Sequence, residues 1–193
     1  MELKNTIAVI IIGTTISFSA SAKHKAEPTP PNNLCSIGQH FNVEGSLKST
    51  NISQLEQEGK LKLKLIQYIN GEKEAEYSGK GTSYGQIINP GALPPEPTLL
   101  NHIISLKNGR DTIITQADQA YITGVVDVVP GTSIPCAFSI EEYITSMSGS
   151  TGVFTNATGM VKATGTINSC PQNANDEYHN SFTLSGYVCL QED

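Results

Sequence analysis

The chain lacks a basic surplus: 12 lysines and arginines stand against 18 aspartates and glutamates in 193 residues, a formal charge of −6. Nucleic acid and anionic membrane surfaces both call for a basic patch, so neither is expected as a partner. It lacks an apolar run long enough to cross a bilayer. The longest, Ile7–Ala20, holds about 14 residues where a helix needs about 20, so no membrane span is expected. It lacks any C-x-x-C pair, which removes the commonest zinc and redox spacings. Its histidines, His24, His40, His102 and His179, never approach one another at ligand spacing, so no metal site is expected either. No cysteine stands at a lipid-attachment position, the first being Cys35. Helical rhythm is almost missing. Only Ser53–Lys60 reads as a short helix, with Ser53 as its cap and Glu56 three residues later.

What is present starts with an export pattern. A short polar opening with Lys4 leads into Ile7–Ala20, and Ala20-Ser21-Ala22 supplies a small-x-small cleavage site. Residues 1–22 are read as a signal peptide, and the location as secreted or periplasmic. Lys23–Asn33 is polar and proline-rich, so 23–38 reads as a flexible leader and 39–193 as a single domain.

That domain alternates with period two. Phe41, Val43 and Leu47 alternate with polar neighbours, Leu61, Leu63 and Leu65 with lysines, and Phe182, Leu184 and Val188 with serine, threonine and tyrosine. Successive side chains of a strand point to opposite faces, so these are half-buried strands. Strands are expected at 39–51, 61–70, 73–88, 100–107, 111–119, 120–129, 136–148, 157–168 and 180–190, with two neighbours among the fourth to sixth merging into one bent strand. Asn70-Gly71 and Asn108-Gly109 read as tight type I′ turns, Pro130-Gly131 as a reversal, and Asn89–Thr98 as an extended proline-rich loop. The fold class is all-β, a single antiparallel barrel of about eight hairpin-linked strands, because closure removes exposed edges.

Cys35, Cys136, Cys170 and Cys189 follow the cleavage site, and an even number in an exported chain favours two disulfides. A hairpin centred near Val153 sets Cys136 opposite Cys170, which leaves Cys35 for Cys189 among the three possible connectivities.

The run Ser148–Asn168, SGSTGVFTNATGMVKATGTIN, joins a glycine-rich turn, an aromatic anchor (Phe154), a second small turn at Asn156–Gly159 and a clean alternating strand. It resembles the hairpin of allene oxide cyclase and dirigent-like barrels, as does the closing strand with Tyr187-Val188-Cys189. The resemblance implies an eight-stranded barrel, often trimeric, that uses no cofactor and holds an apolar or phenolic ligand in its cavity.

Candidate chemistry is sparse. Gly81-Thr82-Ser83-Tyr84-Gly85 matches G-x-S-x-G, but a nucleophile elbow needs a strand, a turn and a helix, and here the match lies within a strand. Glu72, Glu74 and Glu76 read as a solvated edge. Two carboxylates lie among apolar residues: Asp127, on the face of Tyr121, Thr123 and Val125, and Glu142, in register with Phe138, Ile140 and Ile144. Burial raises a carboxyl pKa and suits acid–base work, so Asp127 and Glu142 are the catalytic candidates and Tyr121, Asp127 and Glu142 the ligand-binding ones. The expected function is binding of a small apolar or phenolic molecule. The alternatives are a cyclase or dirigent-type enzyme or guide protein and a structural or host-interaction protein. A cavity lined by carboxylates and tyrosines favours the enzyme, and a filled barrel with an apolar outer patch favours the interaction protein.

Overall fold

A computed structural model describes residues 35–90, 95–173 and 176–191. The signal peptide and most of the leader lie outside the described residues. Residues 35–38 of the leader are held to the last strand: Cys35 is bonded to Cys189, and a Cβ on Gly38 would lie 2.4 Å from the Leu190 carbonyl oxygen.

The strands are β1 Gln39–Asn51, β2 Glu56–Ile69, β3 Glu72–Ile87, β4 Thr98–Leu106, β5 Thr112–Val128, β6 Pro135–Ile144, β7 Thr158–Asn168 and β8 Asn180–Leu190. Each pairs antiparallel with the next, and β8 returns to β1 from Gln39↔Leu190 to Ser49↔Asn180, so one sheet closes into a barrel. The expected fifth and sixth strands are the single long β5. Among the described residues there is no α-helix, and no helix long and apolar enough to cross a membrane. The expected helix at Ser53–Lys60 is a turn running into β2. Ser53 and Glu56 do bond, Oγ to Oε2 at 3.0 Å, but Glu56–Lys60 pairs with Thr82–Gln86 instead of coiling. Sheet pairing on both sides outweighs a single cap.

The turns divide. Asn70 and Gly71 both have positive φ, 54° and 85°, as a type I′ turn requires. At Asn108-Gly109 only Gly109 does, and the Asn108 side-chain oxygen instead accepts the Arg110 and Asp111 N–H groups, each at 3.0 Å.

An up-and-down order puts alternate connections at opposite ends. At one end, reached by the β2–β3, β4–β5 and β6–β7 connections, the segment after β6 folds inward. Phe154, 1 % exposed, plugs the barrel and meets Tyr77 edge-on, with ring centroids 5.9 Å apart. Asp111 fastens this plug: it accepts the Tyr77 hydroxyl at 2.6 Å and the Val153 N–H at 3.2 Å. Behind Phe154 the core is filled by Val43, Leu61, Leu65, Ile104, Val161 and Leu184, leaving an internal cavity of only ≈ 40 Å³. The Cys35–Cys189 disulfide lies at this end and Cys136–Cys170 at the other, with Cα separations of 5.6 and 4.8 Å. The β6–β7 register runs Ala137↔Asn168, one residue off the expected pairing of Cys136 with Cys170, so the Cys136 carbonyl receives the Ser169 N–H and Cys170 bonds from the next position.

Candidate functional site

At the second end the inward row turns polar. Ser49, Gln57 and Asn180 form a network in which the Asn180 amide donates to Asn51 Oδ1 at 2.9 Å and Ser49 donates to Gln57 Oε1 at 2.8 Å. One layer along, β4 contributes His102, β5 Thr115 and Asp118, and β6 Glu142, all buried.

A bulge in β5 creates this cluster. Ile113 and Thr115 face inward; Gln116 and Ala117 are both exposed; Asp118 and Ala120 face inward again. Ala117 sits at φ 54° and donates its N–H to Asn101 Oδ1 at 2.9 Å, and the β4–β5 register shifts between Leu100 and His102. The extra residue moves the inward set from odd to even positions, so Thr115 and Asp118 both face His102. The Thr115 hydroxyl accepts the His102 backbone N–H at 3.1 Å and donates to Asp118 Oδ2. The His102 ring donates from Nδ1 to Asp118 Oδ2 at 2.8 Å, and Glu142 Oε1 stands 3.5 Å from the same nitrogen.

One Nδ1–H cannot serve two carboxylates. Asp118 Oδ1, Glu142 Oε1 and His102 Nε2 are buried and accept or donate no hydrogen bond among the described residues, a costly arrangement in a low-dielectric interior. Burial pulls the His102 pKa down, but its bond to Asp118 and the charges of Glu142 and Asp118 outweigh this and hold it above the ordinary imidazole value. Burial pushes the Glu142 carboxyl up; His102 opposes this and Asp118 adds to it.

The cluster lies under an open mouth. A pocket of ≈ 370 Å³ is lined by Leu55, Ile87, Leu100 and Ile167 on its apolar side and by Asn51, Gln57 and Ser169 on its polar side, with Gly85 in its wall. Gly85 is the contact between mouth and cluster. A Cβ there would stand 2.8 Å from His102 Cδ2, 2.9 Å from Nε2 and 3.1 Å from Gln57 Cγ. Only glycine lets the Cδ2–Nε2 edge of the imidazole pack this closely against β3.

The candidates named from the sequence do not gather. Glu142 faces the interior. Asp127 is exposed, its Oδ2 accepting from Gln172 Nε2 at 3.0 Å and its Oδ1 from the Val128 N–H. Tyr121 is half-buried and donates its hydroxyl to Gln119 at 2.9 Å, with its ring edge-on to Tyr143. Tyr121 stands on an odd position just beyond the bulge, where the inward phase has switched, and Asp127 lies past further β5–β6 register shifts in a stretch that β4 no longer pairs. Spacing between histidines gave no sign of the grouping that His102 does make: it meets two carboxylates from neighbouring strands, with ligand atoms all within 4.8 Å of one another. His24 lies outside the described residues, and His40 stacks on Tyr187. Ser83 of the G-x-S-x-G match is buried in the middle of β3, with no elbow.

No family model, no curated protein and no solved structure matches the chain. The fold and site therefore define a class only: a disulfide-stapled, eight-stranded antiparallel barrel, plugged at one end, with a buried His–Asp–Glu cluster beneath the other.

Proposed function

We propose that the protein is an exported binding protein that takes a small, largely apolar molecule into the open mouth, with a phenol or carbonyl oxygen directed at His102 Nε2. The observation that carries this reading is the buried, unsatisfied Nε2 of His102, packed directly behind Gly85, which lines a pocket of ≈ 370 Å³. That volume falls within the range of small-molecule sites, about 300–1,000 Å³, whereas the ≈ 40 Å³ core cavity cannot admit such a ligand. Two disulfides agree with an oxidising compartment, and with the signal-like start they support export. The test is native mass spectrometry of protein purified from its own host, followed by titration of the released compound. Gly85→Ala sets a Cβ against Cδ2 and Nε2 of His102, forces the imidazole to move and should weaken binding sharply while the barrel still closes. Unchanged affinity in that variant refutes a mouth site.

A second reading has its own support. Glu142, pushed toward its protonated form beside His102, favours a proton-transfer enzyme of the cyclase or dirigent type, cofactor-independent, with Glu142 and His102 in the roles first considered for Asp127 and Glu142. Turnover lost in Glu142→Gln with binding retained would select it. Homo-oligomerisation, with a trimer suggested by the sequence resemblance, has a surface available: Ile122, Val125, Val126 and Val128 are exposed along β5 beyond Ala120, where pairing with β4 ends. With so little core cavity, this patch also favours the interaction-protein alternative. Sedimentation of the wild type beside Val126→Lys distinguishes a monomer from an assembly through this edge.

A further inference from the structure

We propose that His102, Asp118 and Glu142 bind one divalent transition-metal ion, through Nδ1 of the imidazole and one oxygen of each carboxylate. This inference concerns the ring nitrogen facing away from the mouth ligand and does not depend on that ligand. Three observations carry it.

The first is geometry. Nδ1 lies 2.8 Å from Asp118 Oδ2 and 3.5 Å from Glu142 Oε1. Around an ion with bonds of about 2.1 Å, those separations correspond to ligand–metal–ligand angles of about 84° and 113°, spanning octahedral and tetrahedral values. The second is satisfaction. With protons alone, a single Nδ1–H is contested by two carboxylates, and Glu142 Oε1 accepts no hydrogen bond although Glu142 is more than nine-tenths buried. A dication engages the imidazole and both carboxylates together, and its charge cancels theirs. The third is support around the ligands. Thr115 receives the His102 backbone N–H and donates to Asp118 Oδ2, fixing the approach of two ligands, and the three ligands come from three adjacent strands. One nitrogen with carboxylate oxygens suits Zn²⁺ or Mn²⁺ better than Ca²⁺, which prefers oxygen alone, or Cu⁺, which prefers sulfur.

The test uses the disulfide-intact chain, stripped with chelator, dialysed, and titrated calorimetrically with Zn²⁺ and with Mn²⁺. The expected result is one equivalent of at least one of these ions, with a melting temperature that rises with its concentration. Glu142→Gln, matched in shape, should weaken binding by more than ~10-fold, at least the cost of losing an outer partner, and should abolish the thermal response. His40→Ala, outside the cluster, should retain both. If Glu142→Gln does not fold, Mn²⁺ line broadening in the wild type still decides: His102 ring signals should vanish before those of His40 and His179. Failure of wild type to bind either ion stoichiometrically, equal affinity in Glu142→Gln, or broadening centred on another histidine overturns the site.

Discussion

A protonated imidazole offers two N–H donors, and of those of His102 only Nδ1–H meets an acceptor among the described residues. Asp118 takes the Nδ1 proton of His102 and Glu142 is left beside it without one. The two carboxylates are therefore not equivalent, and their variants should diverge. Asp118→Asn leaves a buried imidazolium without its anionic partner, which costs about 3–5 kcal/mol. In a domain of this size that appears as a melting temperature lower by roughly 6–20 °C. Glu142→Gln removes a carboxyl that burial already pushes toward protonation. In metal-free protein at neutral pH it should leave the melting temperature unchanged or raise it. Exposed Asp127→Asn should change stability by less than ~0.5 kcal/mol and leave ligand binding untouched. Equal losses in Asp118→Asn and Glu142→Gln would mean that the proton is shared differently. Glu142 was legible in the sequence because its strand alternates without interruption, so counting by two from Ile140 finds the correct face. His102 and Asp118 were not, because nothing along the chain announces that residues 16 positions apart will meet across a bulged pair of strands.

The bulge is the element on which the site turns. Period-two counting puts Tyr121 and Asp127 on one inward face. Asp127 lies past further register shifts and past the last β4 pair, where residues 125–128 are exposed throughout, and Tyr121 is turned away because Ala117 is an extra residue in β5. A flanking glycine would have signalled it; alanine at φ 54° does not. L-residues pay roughly 1–2 kcal/mol in the left-handed region, whereas glycine there loses only its greater unfolded-state entropy, about 0.5–1 kcal/mol. Ala117→Gly should therefore stabilise by about 0.5–1 kcal/mol in urea titrations, and Ala117→Val should destabilise. Deleting Ala117 would restore strict alternation with Thr115 and Asp118 both still inward, separated by Gln116 alone. The plug at the opposite end gives a pH-dependent prediction. Burial alone would raise the Asp111 pKa, but bonds from Tyr77, Asn108 and the Val153 N–H hold it below the ordinary aspartate value. Its contribution is thus fully present above that ordinary value and is lost as pH falls through the lowered folded one. Asp111→Asn should cost about 1.5–3 kcal/mol at pH 7, and the gap from wild type should close in acid. A gap independent of pH would mean that the plug is held by packing of Phe154 alone. The plug was readable in outline, since the glycine-rich run around Phe154 signals an aromatic folded inward, but its Asp111 fastener comes from a different hairpin.

At the scale of the whole barrel, one junction differs from the rest. Consecutive strands pair with their neighbours in sequence, so each of those ladders closes a far smaller loop than the whole domain. The β1–β8 ladder alone joins the two ends of the domain, so its formation closes the entire chain. Cys35–Cys189, with a sequence separation of 154, lies at this seam, whereas Cys136–Cys170, separated by 34, staples a hairpin that its own ladder already holds. Loop-closure entropy puts the two at about 5.1 and 3.8 kcal/mol respectively. Replacing Cys35 and Cys189 by alanine should therefore lower the melting temperature more than replacing Cys136 and Cys170, by about 3–5 °C at the 2–4 °C per kcal/mol typical of domains this large. Location should differ as well as size. Without the seam disulfide, amide exchange should accelerate first in β1 and β8, along Gln39–Asn51 and Asn180–Leu190. Without the hairpin disulfide it should accelerate at the start of β6 and the end of β7, leaving the seam protected. Greater destabilisation from losing Cys136–Cys170, with exchange rising at the mouth, would locate the weakest part of the barrel around the His–Asp–Glu cluster rather than at its closure.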